Sequence, residues 1–201
     1  MRRIRIEELL ASPREMSAFA SLLAGGGVAA VPTETFYGLA ADPMNETGVR
    51  RFMVLKGREA GKPLLALIGD RRQLARLGVA ADAPTLDRFF ALWPAPLTVV
   101  LPLARPIAAS QGAATLGVRV PSHAALRQLL ARVGPVTGTS LNRAGAEPCS
   151  DADDAARAAP DEIDVLVDGG NTPGGLPSTL LDATVDPPRI LRPGAFAWPP
   201  V

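Results

Sequence analysis

The chain has 201 residues, of which 47 % are hydrophobic and 20 % are charged, and its formal net charge is +1 at pH 7. A chain of this length and composition can bury a core of its own and suits one large domain, or one domain with a small extension. The near-zero charge excludes a bulk field that would draw the whole protein onto nucleic acid or an anionic membrane, although it leaves room for a local basic cleft.

The cysteine content and the N-terminus bear on the compartment. Cys149 is the single cysteine, which excludes an internal disulfide and is typical of a reducing compartment. Residues 1–16 lack the apolar core of a signal peptide, and no apolar run approaches the roughly 18 residues of a membrane span. We therefore expect a cytoplasmic protein with no membrane partner.

The first predicted helix has clear signals at both ends. Ser12 at the N-cap, Pro13 at the first helical position and Glu15 at the third form a capping pattern. The glycines at 25–27 stop the helix, and a short buried strand is predicted over 28–32.

Helices and strands then alternate along the rest of the chain. Helices are predicted over 49–55, 72–77, 82–93 with Asp82 as N-cap, 122–134 with Ser122 as N-cap, and 151–159. Strands are predicted over 63–68, 96–103, 115–121, 136–140, 162–170, 178–184 and 188–194. Because the strands are continuous apolar runs, we predict an α/β domain with a sheet covered on both faces. The late strands lack intervening helices, which favours a mixed sheet.

The only two lysines, Lys56 and Lys62, lie six residues apart with Arg58 between them. The segment is not a nucleotide-binding P-loop, since only three residues separate its glycines and Pro63 follows the second lysine. A loop on an α/β scaffold can still present an ammonium to a phosphate oxygen, a role that the arginine fork fills less well. The alternative is a solvated charged loop, and this stretch alone favours neither.

Polar side chains follow the strand predicted over 28–32. Thr33, Glu34, Thr35 and Tyr37 come directly after it, and ligands of open α/β sheets bind outside the carboxyl ends of strands. These groups can orient a small polar substrate. In the alternative interpretation they form a strand-to-loop turn whose hydroxyls cap a following helix.

Further polar and charged residues follow or interrupt apolar segments. Ser140 and Asn142 lie two apart, so they share a face of an extended segment, and Ser178 follows a glycine-rich loop. Arg119 and Arg192 lie within apolar strand-like segments, where a charge must be paired or face a cleft. The pattern indicates a site rich in cations and hydroxyls and poor in general bases, which suits anion binding and phosphoryl or nucleotidyl chemistry.

Other kinds of site find less support. The only histidine, His123, lies at a predicted helix start, where capping is favoured over a catalytic triad. There is no Cys/His cluster for zinc, and Cys149 has no local partner that would make it a nucleophile. Trp93 and Trp198 are distant from any basic run, which argues against a base-stacking strip.

Seven segments, weak singly but specific in this order, carry a resemblance to a known family. They are PTETFYGLAAD (32–42), KGREAGKPLL (56–65), WPAPLTVVL (93–101), GVRVPSHAALRQLL (117–130), TSLNRAGAEPCSD (139–151), VDGGNTPGGLPSTLLD (167–182) and ILRPG (190–194). Over about residues 27–194 the chain resembles the YrdC-like domain of the threonylcarbamoyl-AMP synthases, in its short bacterial form.

The resemblance implies a fold and an activity. The fold would be a single YrdC-like domain over 1–201, a twisted mixed sheet flanked by helices around a large electropositive cavity. The activity would be that of a nucleotidyltransferase, which converts L-threonine, bicarbonate and ATP into L-threonylcarbamoyl-AMP and pyrophosphate. The product serves tRNA threonylcarbamoyladenosine modification, so the implied partners are the downstream threonylcarbamoyl transferase machinery and, through a weak contact, tRNA.

The resemblance also implies roles for individual residues. Lys56 and Arg58 would be the catalytic cations that face the ATP phosphates. The implied ATP-binding residues are Lys56, Arg58, Ser140, Asn142 and Arg192. The implied threonine-binding residues are Thr33, Tyr37, Lys62, Arg119 and Ser178. Magnesium would be held mainly by the phosphates, with no protein ligand.

Four departures from the family pattern bear on efficiency and substrate range. Glu59 replaces the usual proline, Ala95 a glycine and Leu141 an alanine, and PSTL (177–180) stands for the ESTV of the longer form. Two alternatives therefore stay open: an RNA-binding or regulatory paralogue without synthase activity, and a domain that transfers carbamoyl groups from carbamoyl phosphate. The retained K-x-R and S-x-N residues favour the synthase.

Overall fold

The computed structural model describes residues 1–59, 61–142, 147–158 and 162–198. Within these ranges the helices are α1 (Ile6–Ala11), α2 (Pro13–Ala24), α3 (Glu46–Lys56), α4 (Gln73–Leu77), α5 (Ala83–Phe90), α6 (Ala124–Val133) and α7 (Ala152–Ala158). The strands are β1 (Arg2–Arg5), β2 (Ala29–Pro32), β3 (Tyr37–Ala40), β4 (Leu65–Leu67), β5 (Leu97–Pro102), β6 (Thr115–Arg119), β7 (Val136–Ser140), β8 (Val165–Asp168), β9 (Thr179–Asp182) and β10 (Arg189–Arg192).

The strands form one mixed sheet in the order β1-β8-β2-β3-β7-β4-β6-β5-β9-β10. The pairs β1–β8, β8–β2, β4–β6 and β5–β9 are parallel and the others antiparallel. The predicted mixed α/β sheet is confirmed. None of the helices in the described ranges is long and apolar enough to cross a bilayer.

Apolar side chains cover both faces of the sheet. At the start of β2 and in the residue before it, Val28 and Ala30 belong to one buried cluster, whereas Ala29 and Val31 belong to a second. Alternate residues of a strand point to opposite faces, so the two clusters are the two layers of core. The first cluster takes in α3, α4 and α5, and the second takes in α1, α2 and α6.

Two predicted helix starts are confirmed and one is wrong. The Ser12 hydroxyl accepts the Glu15 amide hydrogen at 3.3 Å, and an Asp82 carboxylate oxygen accepts that of Thr85 at 2.9 Å. At α6 the cap is His123 rather than Ser122, because the His123 Nδ1 accepts the amide hydrogen of Leu126 at 3.1 Å.

The predicted helix over 82–93 is too long at its C-terminal end. α5 stops at Phe90, and the indole of Trp93 instead donates to the carbonyl of Leu97 at 2.7 Å. Pro94 follows Trp93 and disfavours helical geometry in the residue before it, which accounts for the early end.

β1, α1 and β3 are absent from the sequence prediction. β1 reads RRIR and buries only Ile4, so it has almost no apolar signal, and it joins the sheet by parallel pairing with β8. β3 pairs antiparallel with β2, with Pro32 opposite Tyr37, so residues 33–36 form a hairpin turn. On its other side β3 pairs with β7, which places Gly38 opposite Ser140.

Candidate functional site

The hairpin turn between β2 and β3 is closed by a threonine hydroxyl. Thr33 Oγ1 donates to the carbonyl of Phe36 at 2.7 Å and accepts amide hydrogens from Thr35 at 3.1 Å and Phe36 at 3.2 Å. The predicted turn is therefore confirmed, but the helix that it was expected to cap is wrong, because strand β3 follows. Thr33 and Thr35 also line a cavity.

This cavity, of ≈ 130 Å³, is called the central cavity below. Its walls come from the β2–β3 turn, β3, β4, β6, β7, β10 and the residues just before β9. The lining residues are Thr33, Thr35, Phe36, Tyr37, Gly38, Leu65, Leu67, Arg119, Gly138, Thr139, Ser140, Pro177, Ser178 and Arg192. Six predicted site residues, spread over 160 positions of the chain, thus line the same cavity. The electropositive character of the cavity stays a prediction.

Arg119 is paired at the wall of the central cavity. Its Nε lies 3.0 Å from Glu34 Oε1, and its Nη2 bonds to the same oxygen. The two side chains are only 7 % and 14 % exposed, so the pair is largely withdrawn from water. The other oxygen, Glu34 Oε2, is buried and has no hydrogen-bond partner among the described residues.

Arg192 and Ser178 also line the central cavity. Arg192 Nη2 donates to the Ser178 carbonyl at 2.9 Å, and the Ser178 hydroxyl lies 2.8 Å from Thr98 Oγ1. Burial, and then the charge of Arg119, lower the pKa of Arg192. A Cβ at Gly194 would come within 2.2 Å of the Pro177 carbonyl oxygen, so only glycine allows this close approach after β10.

The Lys56 ammonium joins two predicted motifs. Its Nζ donates to the carbonyls of Ser140 at 2.8 Å and Asn142 at 2.9 Å, and it also bonds to Asn142 Oδ1. The Ser140 hydroxyl donates to that same Oδ1 at 2.7 Å. Burial, and then the charge of Arg58, lower the pKa of Lys56. The half-buried ammonium is therefore not part of a solvated loop.

Arg58 and Lys62 lie away from the central cavity. Arg58 Nη2 donates to the Pro63 carbonyl at 2.8 Å, and Arg58 lines a separate cavity of ≈ 620 Å³ between α3 and residues 106–112. Its Nε is buried without a partner in the described parts of the chain. Lys62 is exposed and lies 2.8 Å from Glu59, so the unusual acid at 59 is paired with Lys62.

The Tyr37 hydroxyl supports the loop after β8. It donates to the Gly170 carbonyl at 2.7 Å and accepts the Gly169 amide hydrogen at 3.0 Å. Tyr37 is fully buried, and this burial raises the pKa of its phenol to about 12. Its side chain therefore fixes the cavity wall, with both hydrogen-bonding functions of the hydroxyl already used.

The site is suited to an anionic ligand. No group of three or more His, Cys, Asp or Glu side chains that could hold a metal occurs in the described ranges. Its polar groups are instead arginines, a lysine, hydroxyls, backbone groups, the Asn142 amide and one carboxylate, Glu34, which is paired with Arg119. The sequence analysis gives no separate role to Glu34 or Thr98. A buried arginine needs a charged or polar partner, and that requirement is the signal that could have pointed to Glu34.

Comparison with known proteins gives a consistent family assignment. The model of the family of Sua5, YciO and YrdC proteins, described as "Telomere recombination", matches residues 21–194. A threonylcarbamoyl-AMP synthase of Thiobacillus denitrificans is 40 % identical over 171 residues, which cover 83 % of this chain and 89 % of that protein. A threonylcarbamoyl-AMP synthase of Pyrococcus abyssi is 36 % identical over 182 residues, which cover 88 % of this chain.

Solved structures agree with the sequence comparison. The crystal structure of P. abyssi Sua5 complexed with L-threonine superposes with a TM-score of 0.81 at 33 % identity, covering 96 % of this chain and 56 % of that one. The chain spans about half the length of the P. abyssi protein, since the match covers 53 % of its sequence.

Proposed function

This chain belongs to the Sua5/YciO/YrdC family, and from that premise we propose that it is a threonylcarbamoyl-AMP synthase. The family resemblance seen in the seven sequence segments is thereby confirmed. The proposed reaction joins L-threonine, bicarbonate and ATP into threonylcarbamoyl-AMP and pyrophosphate. The proposed product would pass to the machinery that modifies tRNA, in the cytoplasm.

One observation carries the proposal. Lys56 meets Ser140 and Asn142, and Ser140 also lines the central cavity together with Arg119 and Arg192. Segments distant in the chain thus place fixed cations beside hydroxyls in and around one cavity, as a site that holds a nucleotide and the carboxylate of an amino acid requires.

The nucleotide would lie at the Lys56 side of the site. We assign its triphosphate to Lys56 and Arg58, and its remaining contacts to Ser140, Asn142 and Arg192. The carbonyl and amide oxygens that now surround the Lys56 ammonium would give way in part to phosphate oxygens, to which charge-assisted hydrogen bonds are stronger. Arg58 would have to turn from Pro63 toward the phosphates.

The amino acid would lie in the central cavity. We assign its carboxylate to Arg119 and its hydroxyl to the region of Thr33 and Ser178. Tyr37 contributes by fixing the wall. Lys62 could contact the amino acid only if its loop moved, since its exposed ammonium is paired with Glu59.

The chemistry follows from this placement. The neutral threonine amine and bicarbonate condense to a carbamate with loss of water, and a carbamate oxygen then attacks the α-phosphorus of ATP while pyrophosphate leaves. Lys56 and Arg58 lower the barrier by offsetting charge that accumulates on the phosphate oxygens. When bound, magnesium supplies further charge neutralisation, and the cationic and hydroxyl-rich site fits an ion held by the phosphates themselves.

Pyrophosphate release with each substrate omitted in turn tests the proposal. We expect release to require L-threonine, bicarbonate and ATP together. Release that continues unchanged without threonine and bicarbonate would refute the proposed synthase activity, as would no release from the complete mixture.

A further inference from the structure

Glu34 has one satisfied oxygen and one unsatisfied oxygen. Oε1 accepts from both Nε and Nη2 of Arg119, whereas Oε2 is buried and has no partner among the residues that the structure describes. Buried carboxylate oxygens are rarely left without a donor, so an unpaired one calls for an explanation.

Glu34 is not itself a lining residue of the central cavity, but the residues around it are. Thr33 and Thr35, which flank Glu34 in the chain, and Arg119, its partner, all line that cavity. The last bond of a glutamate side chain rotates in a broad well, so Oε2 can turn toward a ligand while the carboxylate stays on Arg119.

We propose that Glu34 is a specificity-determining residue that makes the central cavity select a zwitterionic amino acid over a simple carboxylate. The inference rests on the proposed function, because it concerns the amino-acid substrate of that same site. An α-ammonium supplies the donors that Oε2 lacks, and the neighbouring α-carboxylate takes the free edge of Arg119. Arg119 Nη1 makes no hydrogen bond to any described residue in the structure.

The sign of the selectivity follows from charge alone. Glu34 attracts the ammonium of a zwitterion and repels the carboxylate of any ligand in the cavity. For an amino acid the two effects oppose each other at neighbouring atoms. For a hydroxy acid only the repulsion between Glu34 and the ligand carboxylate remains. Because the Arg119–Glu34 pair is little exposed, solvent screens this repulsion only weakly.

The first test uses the unaltered protein and two ligands. Titration calorimetry would compare L-threonine with 2,3-dihydroxybutanoate, in which a hydroxyl replaces the amino group. We expect threonine to bind at least about tenfold more tightly, which corresponds to about 1.4 kcal/mol. Equal affinities would overturn the inference without affecting the synthase proposal, whereas no binding of threonine together with no pyrophosphate release would defeat both.

The second test uses Glu34→Gln, which keeps an oxygen acceptor for Arg119 but removes the charge. We expect weaker binding of threonine, tighter binding of 2,3-dihydroxybutanoate, and a loss of about tenfold in the ratio of the two affinities. Glu34→Asp, which keeps the charge, should recover part of that ratio. A ratio unchanged in Glu34→Gln would overturn the inference.

Glu8→Gln is the matched control, since it removes a carboxylate from an exposed ion pair with Arg5 on the first helix. It should leave the affinity ratio unchanged. A shift in this control as large as that in Glu34→Gln would also overturn the inference, because the effect would then be one of net charge.

Discussion

At the scale of single residues, the Lys56 ammonium joins two segments of the candidate site that lie far apart in the chain. It contacts oxygens of both Ser140 and Asn142, and burial holds its pKa below the usual value for lysine. We have proposed that the nucleotide binds here, so the side chain should matter more to turnover than to stability.

We predict that Lys56→Ala lowers kcat by about 100-fold or more, the usual cost of removing one fixed donor that stabilises developing charge. The KM for threonine should change little, and the fold should persist. Steady-state pyrophosphate release and circular dichroism check this. Lys56→Arg should not restore turnover, because a planar fork does not replace a compact ammonium.

The control for Lys56→Ala is Arg72→Ala, which removes a charge from a side chain that is 89 % exposed. It should retain wild-type turnover. Wild-type turnover in Lys56→Ala would contradict the role assigned to Lys56.

Tyr37 is the only tyrosine, so its ionisation can be read without interference. We predict that its phenolate absorbance in the folded protein titrates with a midpoint of about 12, against the ordinary value of 10.0. Between these pH values the folded protein keeps a proton that the unfolded chain loses. Stability therefore falls as pH rises through this window. A midpoint near 10.0 would show that the phenol is not buried.

Glu34 illustrates what sequence reasoning reaches at this scale. The sequence shows that Glu34 follows a buried strand and that Arg119 needs a partner. It does not show that the two residues pair, because they lie 85 positions apart and are brought together only by the sheet. Local patterns carry no information about such contacts.

At the scale of elements, the α6 helix begins at a residue that titrates. The His123 Nδ1 accepts the Leu126 amide hydrogen, which it can do only while that nitrogen is unprotonated. Burial lowers the pKa of His123 below 6.5, so the unfolded chain binds a proton more readily than the folded protein. Stability contributed by this group is therefore lost as pH falls through about 6.5.

We predict that the thermal midpoint falls between about pH 7 and pH 5 in the wild type, and falls less in His123→Asn, since asparagine caps a helix without titrating. The cap is worth about 1 kcal/mol, so the difference should amount to a few degrees. Because His123 is the only histidine, parallel pH profiles in the two proteins would show that it does not contribute.

Elements with strong local signals were predictable, whereas those that depend on tertiary pairing were not. α2 begins at its Ser12 cap as the sequence indicates, because capping and glycine stops act within a few residues. β1 buries one residue of four and exists through pairing with β8. β3 was missed because the polar turn before it reads as a long loop.

At the scale of the whole molecule, the site depends on the order of the strands. β3 pairs with β7 and β7 with β4, which brings the 33–36 turn, Ser140 and the segment after α3 to one end of the sheet. The pattern of helices and strands in the sequence predicts a mixed sheet, but it does not predict the strand order. The set of predicted site residues comes from the resemblance to a family, because the spacing of these residues along the chain does not show that they are close together.

Formation of the product in the presence of labelled bicarbonate is a direct test of the proposed synthase activity. The purified chain would be incubated with ATP, L-threonine, magnesium and carbon-13-labelled bicarbonate, and the products analysed by mass spectrometry. We expect threonylcarbamoyl-AMP that carries the label on its carbamoyl carbon, and we expect this product to be lost in Lys56→Ala. A folded wild-type protein that forms no such adduct, or forms it without the label, would refute the proposed activity.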